Sequence, residues 1–404
     1  MFLFSTCLLQ LEFFNLSKNC EADYEQNYFR ILKDAGYHVQ YYGKNDAFSA
    51  IAMNLSVTEW HEKIGYGSGD NAFSYGESGY FSFLSTGTNV SGTDRSKSAD
   101  LDGALSAVEW MQNSPPEPFM LFLPSRGAHP PYGAPAEWHN KFPVDMLKKS
   151  GLTLRERNIP GMPNYMSDTT GIPHYRNLTG LDEDTLFKIQ SVYLGMVSYT
   201  DWIFGQLLDG LEAIPGGLSA RTAVFFSSDH GDFGGDYGLV EKWPGSMADV
   251  LTRVPLYARI PGGVQGHVAN APVQTADILE TMLDLASINI SQSEWVRFGQ
   301  SMRTQLTGGK GDMSRFVYSE GGFHFPNEQM NEANECLSSC PRGLYCPRGQ
   351  EEVMPNGSPR AVMVRNLTAK LVYRPTGISE LYDLEVDPRE TKNLFTSPGA
   401  VELK

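Results

Sequence analysis

Apolar positions recur along this chain at two spacings, and each spacing predicts an element. From Asp23 to Ala35, the residues Tyr24, Tyr28, Ile31, Leu32 and Ala35 fall at helical intervals, and Gly36 supplies a stop. The run HVQYY that follows reads as a strand. By the same logic SADLDGALSAVEWMQ is a helix, NSPPEP a loop and PFMLFL a buried strand. The longest periodic segment runs from Asp182 to Leu211. Its apolar face is Leu186, Ile189, Val192, Tyr193, Met196, Val197, Ile203, Leu207 and Leu211. After a loop rich in Pro and Gly comes TAVFFSS, the pattern of a central parallel strand covered on both faces.

Helices alternating with such strands predict an α/β fold with a mostly parallel central sheet flanked by helices. Beyond Gly299 the pattern changes to AVMVR, KLVYR and SELYDL, short alternating runs suited to a small antiparallel sheet. The expected organisation is therefore an α/β domain over 1–299 and a C-terminal α+β subdomain over 300–404. The N-terminal MFLFSTCLLQLEFF is apolar but lacks a basic leading region, contains Glu12 and shows no small-residue cleavage site. It reads as a buried segment, or as a start created by truncation, rather than as a signal peptide.

Composition narrows the partners. With 404 residues, 41% hydrophobic and 20% charged, the chain is globular and can bury a large core. A formal charge of −15 argues against nucleic acid and against a polybasic membrane surface. No apolar run reaches the length of a membrane span. Seven N-x-S/T triplets begin at Asn15, Asn54, Asn89, Asn177, Asn289, Asn356 and Asn366. Composition alone would give about two or three, so the excess points to a secretory, lysosomal or extracellular glycoprotein. The cluster CLSSCPRGLYC lacks the paired spacing and histidines of a zinc site and reads as a disulfide-pinned loop. With Cys7 and Cys20 the total is five, which leaves one thiol over.

Parallel α/β sheets bind ligands outside the carboxyl ends of their strands. This sequence places unusual polar residues there three times: GKND after HVQYY, with Lys44 and Asp46; PSRGAHPPY after PFMLFL, with His129; and DHGDFGGDYGLVEKW after TAVFFSS, with Asp229, His230 and Lys242. Asp229 and His230 offer an oxygen and a nitrogen to a metal ion. Two lysines and a histidine around them suit a tetrahedral oxyanion, and hence sulfuryl or phosphoryl transfer. His129, with an ordinary imidazole pKa near neutrality, suits hydrogen bonding or proton donation to a departing oxygen. Each residue also has a plain alternative as a loop charge, a turn residue or a helix cap. Their co-location favours the site. No GxSxG elbow, phosphate-binding P-loop or dinucleotide fingerprint competes.

The pieces DAGYHVQYYGKND, LFLPSRGAHPPY, SYTDWIFGQLLDGL, SSDHGDFGGDYGLVEKW, TRVPLYARIPGG and ELYDLEVDPRETKNLF occur in the order found in the sulfatase family of the alkaline-phosphatase-like superfamily. The chain resembles that family from Tyr24 to Phe395. The resemblance implies that Lys44 and Lys242 contact a substrate sulfate, that His129 stands near the leaving-group oxygen, and that Asp229 and His230 bind a divalent metal, calcium rather than magnesium. Asp46 stands where many members have His. A Lys-x-Asp arrangement resembles the arylsulfatase K type and points to sulfated uronic acids. The implied substrates are sulfated carbohydrates or aryl sulfates, and oligomeric state is left open.

Two family features lack a counterpart before Tyr24: the first strand with its paired metal-binding aspartates, and the Cys/Ser-x-Pro-Ser-Arg motif whose first residue is oxidised to formylglycine. Pro124-Ser125-Arg126 does not replace it. Phe122 stands at the nucleophile position, and the segment follows GKND where the motif should precede it. The expectation is a sulfuric ester hydrolase without its N-terminal nucleophile segment, catalytically incomplete as written. The alternatives are a non-catalytic sulfated-glycan-binding pseudoenzyme or truncated isoform and, behind these, a phosphatase or phosphodiesterase of the same superfamily.

Overall fold

The computed structural model describes residues 2–5, 27–45, 48–61, 84, 91–130, 132–167, 173, 178–243, 245–290, 297–322 and 360–397. All five cysteines lie outside the described residues, as do Asp46 and the asparagines at 15, 89, 177 and 356.

Six strands form the first sheet: β1 (Phe2–Ser5), β2 (His38–Tyr42), β3 (Glu59–His61), β4 (Phe119–Leu123), β5 (Ala223–Ser227) and β6 (Leu256–Arg259). Their order is β3-β2-β4-β1-β5-β6, parallel throughout except for β6, which runs antiparallel to β5. Helices cover both faces. β4 shows why the run FMLFL carries no polar residue: all five of its side chains are buried, alternately above and below the sheet. Met120 and Phe122 pack with Phe29 and Leu32 of the helix Tyr28–Asp34 and with Ile278 and Met282 of the helix Ala276–Ala286. Phe119, Leu121 and Leu123 pack instead against Ala104 and Val108 of the helix Ala99–Gln112 and against Ile203 and Leu207 of the helix Glu183–Glu212.

Three of these four helices start where a side chain can accept from a first-turn N–H group. Asn27 accepts from the Arg30 amide, Ser98 from that of Leu101 and Asp182 from that of Thr185. In the helix Glu183–Glu212 the predicted apolar face is buried except at Tyr193, which is half-buried, and Val197, which is 42% exposed, and Phe187 is buried in addition.

Two expectations are corrected. The first strand of the sheet has a counterpart: β1 lies between β4 and β5 and pairs with both, so neither neighbour is left with an open edge there. Thr6 and Cys7 follow it, and the first aspartate in the sequence is Asp23. TAVFFSS, expected to be central, is the last strand but one, because β6 adds antiparallel to its far side.

The second sheet is antiparallel, in the order β10-β9-β8-β7, from β7 (Val317–Gly321), β8 (Ala361–Arg365), β9 (Ala369–Tyr373) and β10 (Glu380–Asp383). It meets the first layer through a small apolar patch, Met247 with Ala361, Met363 and Val372, and through buried ion pairs. The fully buried Lys370 ammonium donates to Asp249 Oδ1 at 3.0 Å and to Glu390 Oε1 at 2.5 Å. Arg365 donates to Asp249 at 2.5 Å, and the Asp249 amide to Glu390 Oε2 at 2.8 Å. Burial alone would raise the Asp249 carboxyl, but the Lys370 and Arg365 charges override it and hold the group at about 2. Arg374 donates to the Gly245 carbonyl at 2.7 Å and to Glu380 at 2.7 Å.

Removing one member of such a network leaves buried carboxylates facing each other. Lys370→Met is therefore expected to lower stability by about 3–5 kcal/mol in chemical denaturation. A loss below about 1 kcal/mol, the range of exposed pairs, contradicts this account of the join.

Candidate anion-binding active site

The carboxyl ends of β2, β4 and β5 carry the predicted residues, and local contacts bring their loops together. After β2 the chain turns at Gly43, whose φ is +128°. A Cβ there would lie 2.2 Å from the Pro124 carbonyl oxygen, so only glycine lets the loops after β2 and β4 touch. Lys44 follows directly, its carbonyl accepting from the Tyr41 hydroxyl at 2.6 Å.

After β4, Pro124-Ser125-Arg126 proves to be a shaped turn. The two carboxylate oxygens of Asp100 accept from the amides of Arg126 and Gly127 at 2.9 and 3.0 Å, and the Arg126 carbonyl accepts from the His129 amide at 2.9 Å. Phe122, two residues before the turn, is fully buried and meets Phe29 edge-on at 5.1 Å. The turn delivers His129. Its Nδ1–H donates to the Pro130 carbonyl at 2.7 Å, which leaves the Nε2 lone pair to accept from Lys242 Nζ at 3.2 Å. Burial, then the Lys242 charge, pushes His129 down to about 3; Lys44 adds to the fall and Glu241 opposes it. The near-neutral pKa expected of this histidine is thus not retained.

After β5, the Asp229 carboxylate accepts from the His230 amide at 2.8 Å, and the Ser228 hydroxyl donates to the His230 carbonyl at 2.7 Å. Gly231 donates to the Leu251 carbonyl at 2.7 Å, and a Cβ on it would fall 1.9 Å from the Val250 carbonyl. His230 Nδ1–H donates to the Gly231 carbonyl at 2.7 Å, so its Nε2 lone pair faces Asp229 Oδ2 at 3.3 Å. Burial lowers the His230 pKa against the opposing Asp229 charge, which favours the neutral ring. A neutral imidazole nitrogen and a carboxylate oxygen turned toward each other fit a shared divalent cation. They are only part of a coordination shell. Among the described residues no group of three His, Cys, Asp or Glu forms one.

Sequence reasoning missed three residues inside its own motifs. The Tyr132 hydroxyl donates to Asp232 Oδ1 at 2.8 Å and accepts from the Glu241 amide at 2.7 Å, so it clasps the loop after β5 to the loop after β4. Burial raises Asp232 to about 6. Glu241 is 1% exposed, with Oε1 at 3.2 Å from Lys242 Nζ and 3.8 Å from His129 Nε2. A signal was available: in GLVEKW, Leu239, Val240 and Trp243 are buried, and a carboxylate amid such a run needs a cation.

Residues 2–288 of this chain match the Sulfatase family model. The chain belongs to the sulfatase family. Among curated relatives, this sulfatase-family chain is 26% identical to arylsulfatase K of Mus musculus over 310 residues, which is 72% of the chain and 49% of the relative. It is 25% identical to a sulfatase of Formosa agariphila over 256 residues, 56% of the chain and 49% of the relative. The chain thus spans about half the length of the curated relatives it matches.

Among solved structures, the fold is similar to a phosphonate monoester hydrolase of Agrobacterium radiobacter, with TM-score 0.65, 17% identity, and coverage of 94% of this chain and 77% of the other. It is also similar to a 2-O GAG sulfatase, with TM-score 0.62, 19% identity, and coverage of 96% and 74%. A third, solved in complex with its substrate D-glucosamine-2-N,6-O-disulfate, gives TM-score 0.60, 18% identity, and coverage of 96% and 81%.

The His129 environment sets a titration test. With a folded pKa below the ordinary value of about 6.5, the unfolded state binds the extra proton between those two values. The stability from His129 is therefore present above about pH 6.5 and is lost as pH falls toward the folded value. NMR of the His129 ring should show a midpoint near 3. His129→Gln should flatten stability against pH in that window, and a midpoint near 6.5 contradicts the buried, lysine-flanked environment.

Proposed function

We propose that this sulfatase-family chain carries the anion-binding site of a sulfuric ester hydrolase acting on sulfated glycans or glycosaminoglycans. The observation behind the reading is the Lys242 ammonium 3.2 Å from His129 Nε2, with the Lys44 charge bearing on the same ring. Lys44 and Lys242 hold the non-bridging oxygens of the sulfate group, and His129 stands at the leaving-group oxygen. Burial and, after it, the lysine charges keep His129 unprotonated. A bound sulfate ester, a monoanion, offsets part of the lysine charge and raises the ring toward the protonated form that a departing oxygen needs. Asp229 and His230 would hold a divalent cation, calcium rather than magnesium by the family resemblance, and such an ion would supply positive charge beside the transferring group. By the family resemblance Asp46, which lies outside the described residues, would favour a uronic acid.

Nothing in the 404 residues spells Cys/Ser-x-Pro-Ser-Arg, so no residue in them becomes formylglycine by that signal. The chain as written then binds sulfated ligands without turning them over. A second reading, a non-catalytic sulfated-glycan-binding protein, draws on the same absence among these residues. The excess of sequons and the arylsulfatase K relatives support a secretory or lysosomal glycoprotein, and the Asn54 and Asn289 side chains are exposed. Among the described residues no helix is long and apolar enough to cross a membrane.

Recombinant residues 1–404 should give no detectable hydrolysis of an aryl sulfate and should bind a sulfated heparan disaccharide in preference to its desulfated form. Lys44→Ala and Lys242→Ala should each weaken that binding by about tenfold or more, equivalent to about 1.4 kcal/mol. Hydrolysis abolished by His129→Ala contradicts the incompleteness reading, and equal binding of sulfated and desulfated sugar contradicts the site.

A further inference from the structure

Glu241 occupies a backbone conformation that its residue type disfavours. Its φ is +61°, the left-handed region where glycine sits at no cost and a side chain adds about 1–2 kcal/mol. The surroundings impose that conformation: the Glu241 amide donates to the Tyr132 hydroxyl at 2.7 Å, and its carbonyl accepts from the Phe233 amide at 2.9 Å. Glycine would satisfy both contacts. The position carries instead a carboxylate that is almost wholly buried, a second cost. That carboxylate faces Lys242 and His129 across 3.2 and 3.8 Å, while Asp232, on the same loop, also feels its charge.

Resting on the anion-site reading above, we infer that Glu241 is a positioning residue that sets the charge of the Lys242–His129 pair and restrains the pocket's affinity for sulfate. Its carboxylate fixes the Lys242 ammonium against His129 Nε2. When a sulfate group enters, the ammonium is shared between two anions and the buried carboxylate repels the newcomer. A pocket with two lysines and a metal ion would otherwise hold a sulfate group tightly. Glu241 keeps the lysine oriented while easing release.

The test titrates sodium sulfate into the full 404-residue chain at fixed ionic strength, by calorimetry, with Glu241→Gln, Glu241→Gly and Lys242→Ala alongside. The Gln variant removes charge at nearly constant shape. The Gly variant removes charge and backbone strain together, which protects folding. Both are expected to bind sulfate about 3–10-fold more tightly, and Lys242→Ala about tenfold more weakly. Tighter binding is the discriminating direction, because loss of a merely structural residue leaves affinity unchanged or lowers it. Sulfate binding that depends on Lys242 but is not tightened in either folded Glu241 variant overturns this inference alone. Absence of sulfate binding by the unsubstituted chain overturns the anion site and the inference together.

Discussion

The Tyr132 hydroxyl is the point on which the site depends. It donates to Asp232 and accepts from the Glu241 amide, joining two loops that are about a hundred residues apart in the chain. Without that clasp nothing in the strand order alone would bring Lys242 to His129, because β4 and β5 are not neighbours: β1 lies between them. The loops must reach across a strand, and the buried hydroxyl gives them a fixed meeting point. Asp232 accepts in addition from the Gly234 amide at 2.7 Å, so the return of the loop toward Lys242 is held at both ends.

Support for this arrangement comes from outside the first sheet. Gly231 is pressed against the backbone of the helix Asp249–Thr252, and Asp249 at the head of that helix is held by Lys370 and Arg365 of the second sheet. Arg374 reaches the Gly245 carbonyl, three residues beyond Lys242. The small antiparallel sheet therefore braces both ends of the segment that carries Asp229, His230 and Lys242. Buried ion pairs contribute little net stability over apolar packing, but they tolerate only one geometry. The apolar contact here is a patch around Met247, so the geometry of the join rests on the charges.

Much of the fold could be read from periodicity, because β4 and the helix Glu183–Glu212 announce themselves by runs too apolar or too regular for a loop. The placement of β5 could not, since a wholly apolar run says that both faces are covered and says nothing about which strands lie at its sides. Val197 was misplaced because a straight helix drifts against any single face over so many turns. In the site, cations and metal-type ligands stand out by residue type after a strand. Tyr132, Asp232 and Glu241 do not, because their role lies in what they hold: a hydroxyl, a carboxylate and a backbone in a conformation that sequence does not display.

The central claim is that Lys44, His129 and Lys242 converge on one anion. Crystals of the 404-residue chain grown with selenate, a heavier analogue of sulfate, test it through the anomalous signal of selenium. The account predicts a single strong peak within hydrogen-bond reach of the Lys44 and Lys242 ammonium groups and next to His129. A fully ordered loop after β5 with no peak there, or selenate held only by lysines elsewhere on the surface, contradicts it.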